Sequence, residues 1–195
     1  MTVPGRQAAH ARDSILDAAA ELVRVQGVAG MAISDLIARS HTSAGAIYHH
    51  FGSKQGVVLE VARRAVAGPM TSVMSTPSSA GLSPADLLAA AIDRVVHDEK
   101  TAELLVQIWA GAAADRELYD LLRVEGDGVR AAVVAVVGDW CVRNDVDADP
   151  EGLASVLIGL VMGYAVQRSL LPGLDKAVYV AAGQRLLSSV GRRDS

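Results

Sequence analysis

The sequence predicts an all-α protein, on three observations. Apolar residues recur every three or four positions through most of the 195 residues, and no stretch of useful length alternates strictly between apolar and polar side chains. Capping residues stand just ahead of several of these apolar periods, where a helix needs partners for its unpaired N–H groups. With 51% hydrophobic residues the chain has the material for a substantial core. About nine helices are expected and no internal repeat is visible.

The elements follow in chain order. Residues 1–8 read as a disordered tail, with Arg6, His10 and Arg12 able to extend a basic surface as a flexible arm, and an opening helix carries DSILDAAAELVRVQG. Ile33, Leu36, Ile37 and Ser40 then fall at helical spacing on one narrow face about two turns long, too short to persist unless packed. After a turn at Ser40, His41 and Thr42, the Ser43 hydroxyl can cap a new helix in which Ala44, Ile47 and Phe51 form a buried stripe. Its opposite face carries Gly45, Tyr48 and His49. Ser53 is placed to cap a fourth helix running through Met74, followed by the linker STPSSAGLS. Ser83 with Pro84 at the first helical position opens a fifth helix to about His97. A sixth covers roughly Thr101 to Ala112. Asp115 caps a seventh toward Arg143, with a weak point at Gly126, Asp127 and Gly128, where two glycines cost helix stability. The loop NDVDAD leads to Asp149 and Pro150, which start an eighth helix ending near Leu171 and Pro172. Asp175 opens a ninth, ending around Val190.

The stretch AISDLIARSHTSAGAIYHHFGSK, from Ala32 to Lys54, reads as a DNA-binding helix-turn-helix. Short, flat and polar side chains on an exposed helix are what a major groove admits. Imidazoles donate to or accept from base edges, and a tyrosine hydroxyl reaches phosphate. Lys54 follows the capping Ser53, so its charge stands beside N–H groups that also face an anion, a combination suited to phosphate.

The block from about Arg12 to Val61 resembles the N-terminal domain of the tetracycline-repressor (TetR) family of bacterial transcription regulators. The opening helix, the motif DLIARSHTSAGAIYHHFGSK and the glycine-serine-lysine step into the fourth helix carry the likeness, with Gly45 to Lys54 its most specific part. The resemblance implies a three-helix DNA-binding head over residues 1–61 and a C-terminal helical bundle over 62–195 that binds a small ligand and dimerises. It implies that Tyr48 and Lys54 contact phosphates and that Ala44, Gly45, His49 and His50 lie where recognition-helix contacts are made. Departures from the family pattern matter too. His41 stands where many members have glycine and must take a left-handed conformation if the turn is unchanged. Ala32 stands where threonine usually caps the second helix, so Ser34 or solvent must serve its N–H groups. Ala44 replaces a commonly basic or polar residue and Ala46 a common threonine, which shifts base recognition toward Ser34, His49 and His50. With Ser43 these complete the expected DNA-binding set.

The net charge is −4, yet its distribution favours a polyanionic partner for one end of the chain. Residues 1–67 carry seven Lys or Arg against five Asp or Glu, and residues 68–195 eleven against seventeen. Four of the five histidines lie in the first fifty residues. The N-terminal part is thus weakly basic and the rest acidic. A single cysteine, Cys141, excludes an intrachain disulfide and fits a reducing compartment as a small buried hydrophobe. The start, MTVPGRQAAHARDS, has no apolar core of signal-peptide length. The longest apolar run, Leu153 to Val166, is well short of a bilayer crossing. These features point to a cytoplasmic protein without a membrane partner.

Ser155, Gly159 and Gly163, spaced four apart, make a smooth stripe suited to close helix packing. The resemblance implies that the last two helices pair with their symmetry mates in a homodimer, with Val156, Leu160, Met162, Val178, Leu186 and Leu187 as further contacts. It also implies a ligand pocket among helices four to eight, for which Met70, Met74, Gln107, Trp109, Trp140, Tyr164 and Gln167 combine bulky apolar groups with a few polar ones. As a set they suit a small, mostly apolar effector. Ordinary core packing is the competing reading for each of them. His97, Asp98, Glu99 and Glu103 superficially suggest a metal site or an acid-base pair, but such a run at a helix junction is characteristic of a solvated surface. With no paired Cys or His ligands, phosphate-cradling glycine loop or nucleophile elbow, neither catalysis nor a cofactor is expected. The reading is a homodimeric, ligand-responsive regulator, most naturally a repressor on a palindromic double-stranded DNA operator. The alternative is a helical protein–protein adaptor that binds no duplex DNA.

Overall fold

The computed structural model describes residues 4–74, 81–171 and 173–188, and the side chains of 4–8, 67, 70–72 and 74 lie outside the described ones. Nine helices and no strand are found among the described residues: α1 (Pro4–Gly30), α2 (Ile33–Ser40), α3 (Ala44–Phe51), α4 (Lys54–Met74), α5 (Pro84–Val95), α6 (Glu99–Ala112), α7 (Arg116–Arg143), α8 (Pro150–Leu170) and α9 (Lys176–Ser188). The expected tail is helical from Pro4 onward. The linker over 75–80 lies outside the described residues, as does Pro172.

Local chemistry sets most of the boundaries. The Ser43, Ser53, Ser83, Asp115, Asp149 and Asp175 side chains each accept from an N–H two or three residues on, at 2.9–3.2 Å, satisfying donors that have no partner within the helix. Asp98 caps α6 in the same way, taking the Thr101 N–H and hydroxyl, both at 2.7 Å. Burial alone would raise its pKa, but those hydrogen bonds and the charges of His97 and Lys100 leave it below the usual carboxylate value. Asp98 therefore works as a helix cap. The glycine pair in α7 does not interrupt that helix, which runs unbroken for 28 residues.

The chain forms two compact units, one of residues 1–65 and 104–122, the other of 66–103 and 123–195. In the first, Ile15, Leu16, Ala19, Leu22 and Val23 of α1 meet Leu36, Ile47, Val57, Val58, Val61, Ile108 and Leu118 in one buried cluster. α1 breaks at Gly27, whose φ of 75° and ψ of 169° lie outside the helical region and suit a residue without a Cβ. In the second unit α5 packs on α8 and α9, burying Leu87, Leu88, Ile92, Leu157, Tyr164 and Leu187. α8 has 21 residues, and its most apolar 18-residue stretch has a mean hydropathy of 1.5, enough by length and composition to cross a membrane. The fourteen-residue run seen in the sequence is thus the centre of a longer apolar helix, one side of which is buried on its own chain.

Candidate nucleic-acid interface

α2 and α3 form the expected helix-turn-helix, and three features of the turn hold them at a fixed angle. His41 sits at φ 53°, ψ 32°, the left-handed conformation anticipated for the place of a glycine. The buried Ser40 hydroxyl donates to the Leu36 carbonyl at 2.6 Å and meets the Thr42 hydroxyl at 2.7 Å. The sequence places Ser40 both on the apolar face and in the turn, and its hydroxyl closes that turn with Thr42. Ser43 then caps α3 by accepting from the Ala46 N–H at 3.2 Å. The start of α2 is bare: Ala32 offers no cap, and the Ser34 hydroxyl points to the Asp35 carboxylate at 3.4 Å. Ser34 therefore does not take up the missing threonine's role, and Asp35 in the first turn offers only a favourable charge.

On α3 the inward side is Ile47, fully buried, with Ala44 and Phe51 half-buried. The outward side presents Gly45, His49 and Tyr48, the last 51% exposed. His50 is half-buried, its ring 5.3 Å from that of His49 and 6.1 Å from that of Phe51. Of the two adjacent imidazoles, His49 is the one freely presented. Ser34 and Ser43 are exposed. Lys54 is half-buried and its ammonium donates to the Ala29 carbonyl at 3.4 Å, where the end of α1 leaves acceptors unpaired and attracts a cation. A phosphate contact from Lys54 thus requires it to leave or share that carbonyl.

The expected basic arm takes a different form. Arg12 is held inside the first unit, donating to Glu60 of α4 and lying 5.6 Å from the centre of the Phe51 ring. His10 is exposed, 3.3 Å from the Ser14 hydroxyl, and the Arg6 side chain lies outside the described ones. Arg39, which the sequence reading passed over, is exposed at the end of α2, 3.7 Å from Glu21.

Residues 15–61 match the family model for bacterial regulatory proteins of the tetR family, and residues 84–192 that for the C-terminal part of BetI-type transcriptional repressors. The chain belongs to the TetR family of transcription regulators. TetR-family members are regulators and not enzymes. This TetR-family chain is 24% identical over 170 residues to the HTH-type transcriptional regulator BetI of Agrobacterium fabrum, a match covering 85% of this chain and 82% of that protein. It is 22% identical to the BetI of Rhizobium meliloti, over 76% and 75%. Among solved structures, Salmonella enterica GusR shares the fold with a TM-score of 0.80 at 20% identity, over 99% of both chains. A regulator from Saccharomonospora viridis in complex with choline does so at 0.67 and 20%, over 93% and 95%.

In this TetR-family chain the residues expected to bind an effector fall in both compact units. Gln107 and Trp109, both half-buried, belong to the first, and Trp140, Tyr164 and Gln167 to the second. Tyr164 is buried, its ring 5.1 Å from that of Tyr179, whose hydroxyl donates to the Leu160 carbonyl at 2.8 Å and whose pKa is raised by burial. Trp140 and Gln167 are half-buried. The side chains of Met70 and Met74 lie outside the described ones. A cleft of about 390 Å³ in the first unit is lined by Gly27, Val28, Lys54, Gln55, Gln107 and Asp115 among others. Of the expected effector residues with described side chains it includes only Gln107. A second, of about 550 Å³ beside Cys141 and Pro150, includes none.

The residues expected at a dimer interface divide by burial. Ser155, Val156, Gly159, Met162, Val178 and Leu186 are exposed, Leu186 to 66%, and Leu160 and Gly163 are half-buried. Leu187 is 4% exposed, so it packs within its own protomer and is unavailable to a partner. The small-residue stripe serves two purposes. Gly159 faces open space, whereas a Cβ on Gly163 would stand 3.4 Å from the Tyr179 hydroxyl.

Proposed function

We propose that the protein is a homodimeric repressor that binds a two-fold symmetric operator through α3 and is released by a small effector held in its C-terminal domain. The observation that carries this reading is the outward face of α3, where Gly45, Tyr48 and His49 project from a capped helix whose other side is locked by Ile47. Ser34, Ser43, Ala44, His50 and Lys54 complete the DNA contacts, Lys54 after release from Ala29. Residues 1–61 form the head and 62–195 the effector and dimer domain. The exposed apolar face of α8 and α9 without Leu187 supplies the contact with the second protomer, so that two recognition helices enter successive major grooves roughly 34 Å apart.

The effector is small and mostly apolar, in keeping with Trp140, Tyr164 and Gln167. The choline held by the Saccharomonospora viridis neighbour supports a small-molecule site in this fold. A ligand shifts an equilibrium only by its differential affinity for the two states, so effector and operator weaken each other reciprocally. The protein works in the cytoplasm, where its DNA lies. Selection of bound duplexes from a random pool, followed by salt titration of the enriched sequence, tests the reading. A palindromic winner whose affinity falls steeply with salt is expected; no enrichment at low salt would refute DNA recognition by the effector-free protein.

A further inference from the structure

We propose that Arg12 is a positioning residue for the recognition helix, an inference that rests on the DNA-binding reading above. α3 has eight residues, well below the length at which a helix persists alone, so its tilt is set by what holds it. Ser43 fixes its start and Ile47 its inner side. At its far end the half-buried Phe51 lies beneath the Arg12 guanidinium, 5.6 Å from the ring centre, within the range of cation–π attraction. That guanidinium belongs to α1 and donates to Glu60 Oε1 on α4, while Glu60 Oε2 accepts from Arg63 at 2.9 Å. Two helices therefore hold a flat cation over the last residue of a third.

Tyr48 and His49 precede Phe51 by three and two residues. Freeing that end spreads the orientations of the side chains that read DNA, without removing any of them. A separate bridge from Arg64 to Asp17, at 2.9 Å, also ties α4 to α1, so the scaffold does not depend on Arg12 alone. Only arginine offers a planar fork that stacks and is fixed by a carboxylate at once.

Arg12 could instead serve DNA directly as a phosphate contact, and Glu60→Gln separates the two roles by sign. A phosphate role predicts tighter binding to every duplex, since Glu60→Gln frees the arginine and removes a negative charge. Positioning predicts weaker binding to the enriched duplex of the selection above. Affinities of wild type, Arg12→Ala, Arg12→Lys and Glu60→Gln for that duplex and for a scrambled one are measured across salt, with thermal unfolding of each variant alongside. Arg12→Ala is expected to lose roughly tenfold on the enriched duplex, about 1.4 kcal/mol. On the scrambled duplex it changes less than about twofold, with the salt slope unaltered. Arg12→Lys falls between, and Glu60→Gln lowers discrimination. Glu60→Gln tightening both duplexes, or Arg12→Ala reducing the slope by about 1 with equal loss on both, overturns the proposal in favour of a phosphate contact. An enriched duplex bound equally by all four proteins removes the positioning role alone, whereas a wild type that enriches nothing removes the DNA-binding reading and this role with it. Should Arg12→Ala fail to fold, Glu60→Gln and Arg12→Lys carry the test.

Discussion

Replacing Gly111 by alanine is expected to destabilise the protein, although alanine is the better helix former. Gly111 lies in α6 where that helix passes the end of α1. A Cβ there would stand 2.6 Å from Val28 Cγ2 and 2.8 Å from Val28 Cβ, with Leu118 Cδ2 at 3.5 Å. The clash falls on the branch point of a stiff side chain, and Val28 follows directly on the Gly27 break, so relief requires backbone movement. Overpacking of this kind costs about 1–3 kcal/mol, against a propensity gain of up to about 1 kcal/mol for replacing glycine in a helix. Gly128 in α7 supplies the reference, since nothing lies within 4 Å of a Cβ there and alanine collects the gain alone. With roughly 2–4 °C per kcal/mol for a chain of this size, Gly128→Ala should raise the thermal midpoint by about 3 °C and Gly111→Ala lower it by a similar amount. Circular-dichroism melts of both variants, of Val28→Ala and of the Val28→Ala/Gly111→Ala pair read these differences. The pair should be more stable than the sum of its parts, because the smaller residue 28 removes the clash. A Gly111→Ala protein melting with or above Gly128→Ala, or strict additivity in the pair, would refute the close packing of α6 on the end of α1.

Three further outcomes are expected. On the enriched duplex Tyr48→Phe and Lys54→Ala should weaken binding to all sequences, Lys54→Ala reducing the salt slope by about 1, whereas His49→Ala should alter the preferred sequence; unchanged affinity in all three would place the DNA face elsewhere. Met162→Asp and Leu186→Asp put charge on the exposed apolar face of α8 and α9, and sedimentation equilibrium should show one chain where wild type shows two; intact dimers would move the interface. For Glu60, burial alone raises the pKa, but the hydrogen bonds and charges of Arg12 and Arg63 outweigh it, so the folded value lies below the ordinary 4.5. Its contribution is then fully present above pH 4.5 and is lost as the pH falls through the lowered folded value, so the stability gap between wild type and Glu60→Gln should close over that acid range. A gap constant with pH would contradict the ion pair.

What could be read from the sequence was what depends on neighbours in the chain. Ser43, Ser83, Asp115, Asp149 and Asp175 announce their helices because a cap acts over two or three residues, and the left-handed turn at His41 follows from the family resemblance, which puts it where many members have glycine. What escaped depends on partners far away in sequence. Arg12 looked like part of a basic arm because Glu60, 48 residues on, gives no local sign of the pairing. Lys54 looked free because the carbonyl it meets belongs to Ala29, 25 residues earlier. The glycines of α7 promised a weak point, yet the packing of Val133 and Val137 later in the same helix holds against a propensity loss of about 1 kcal/mol each. The resemblance implies a dimer contact at Leu187, and since α9 is apolar on several sides, periodicity alone does not settle that this residue turns inward.

α8 leaves Val156, Met162, Val166 and Leu170 in water on a helix of membrane-like composition. Whatever covers that surface binds the folded chain and not the unfolded one, and so raises the folding equilibrium by mass action. In the proposed homodimer, durability then becomes a property of abundance. A dilute solution holds a more fragile molecule than a concentrated one, and a newly made chain that finds no cover is a natural client for chaperones and proteases.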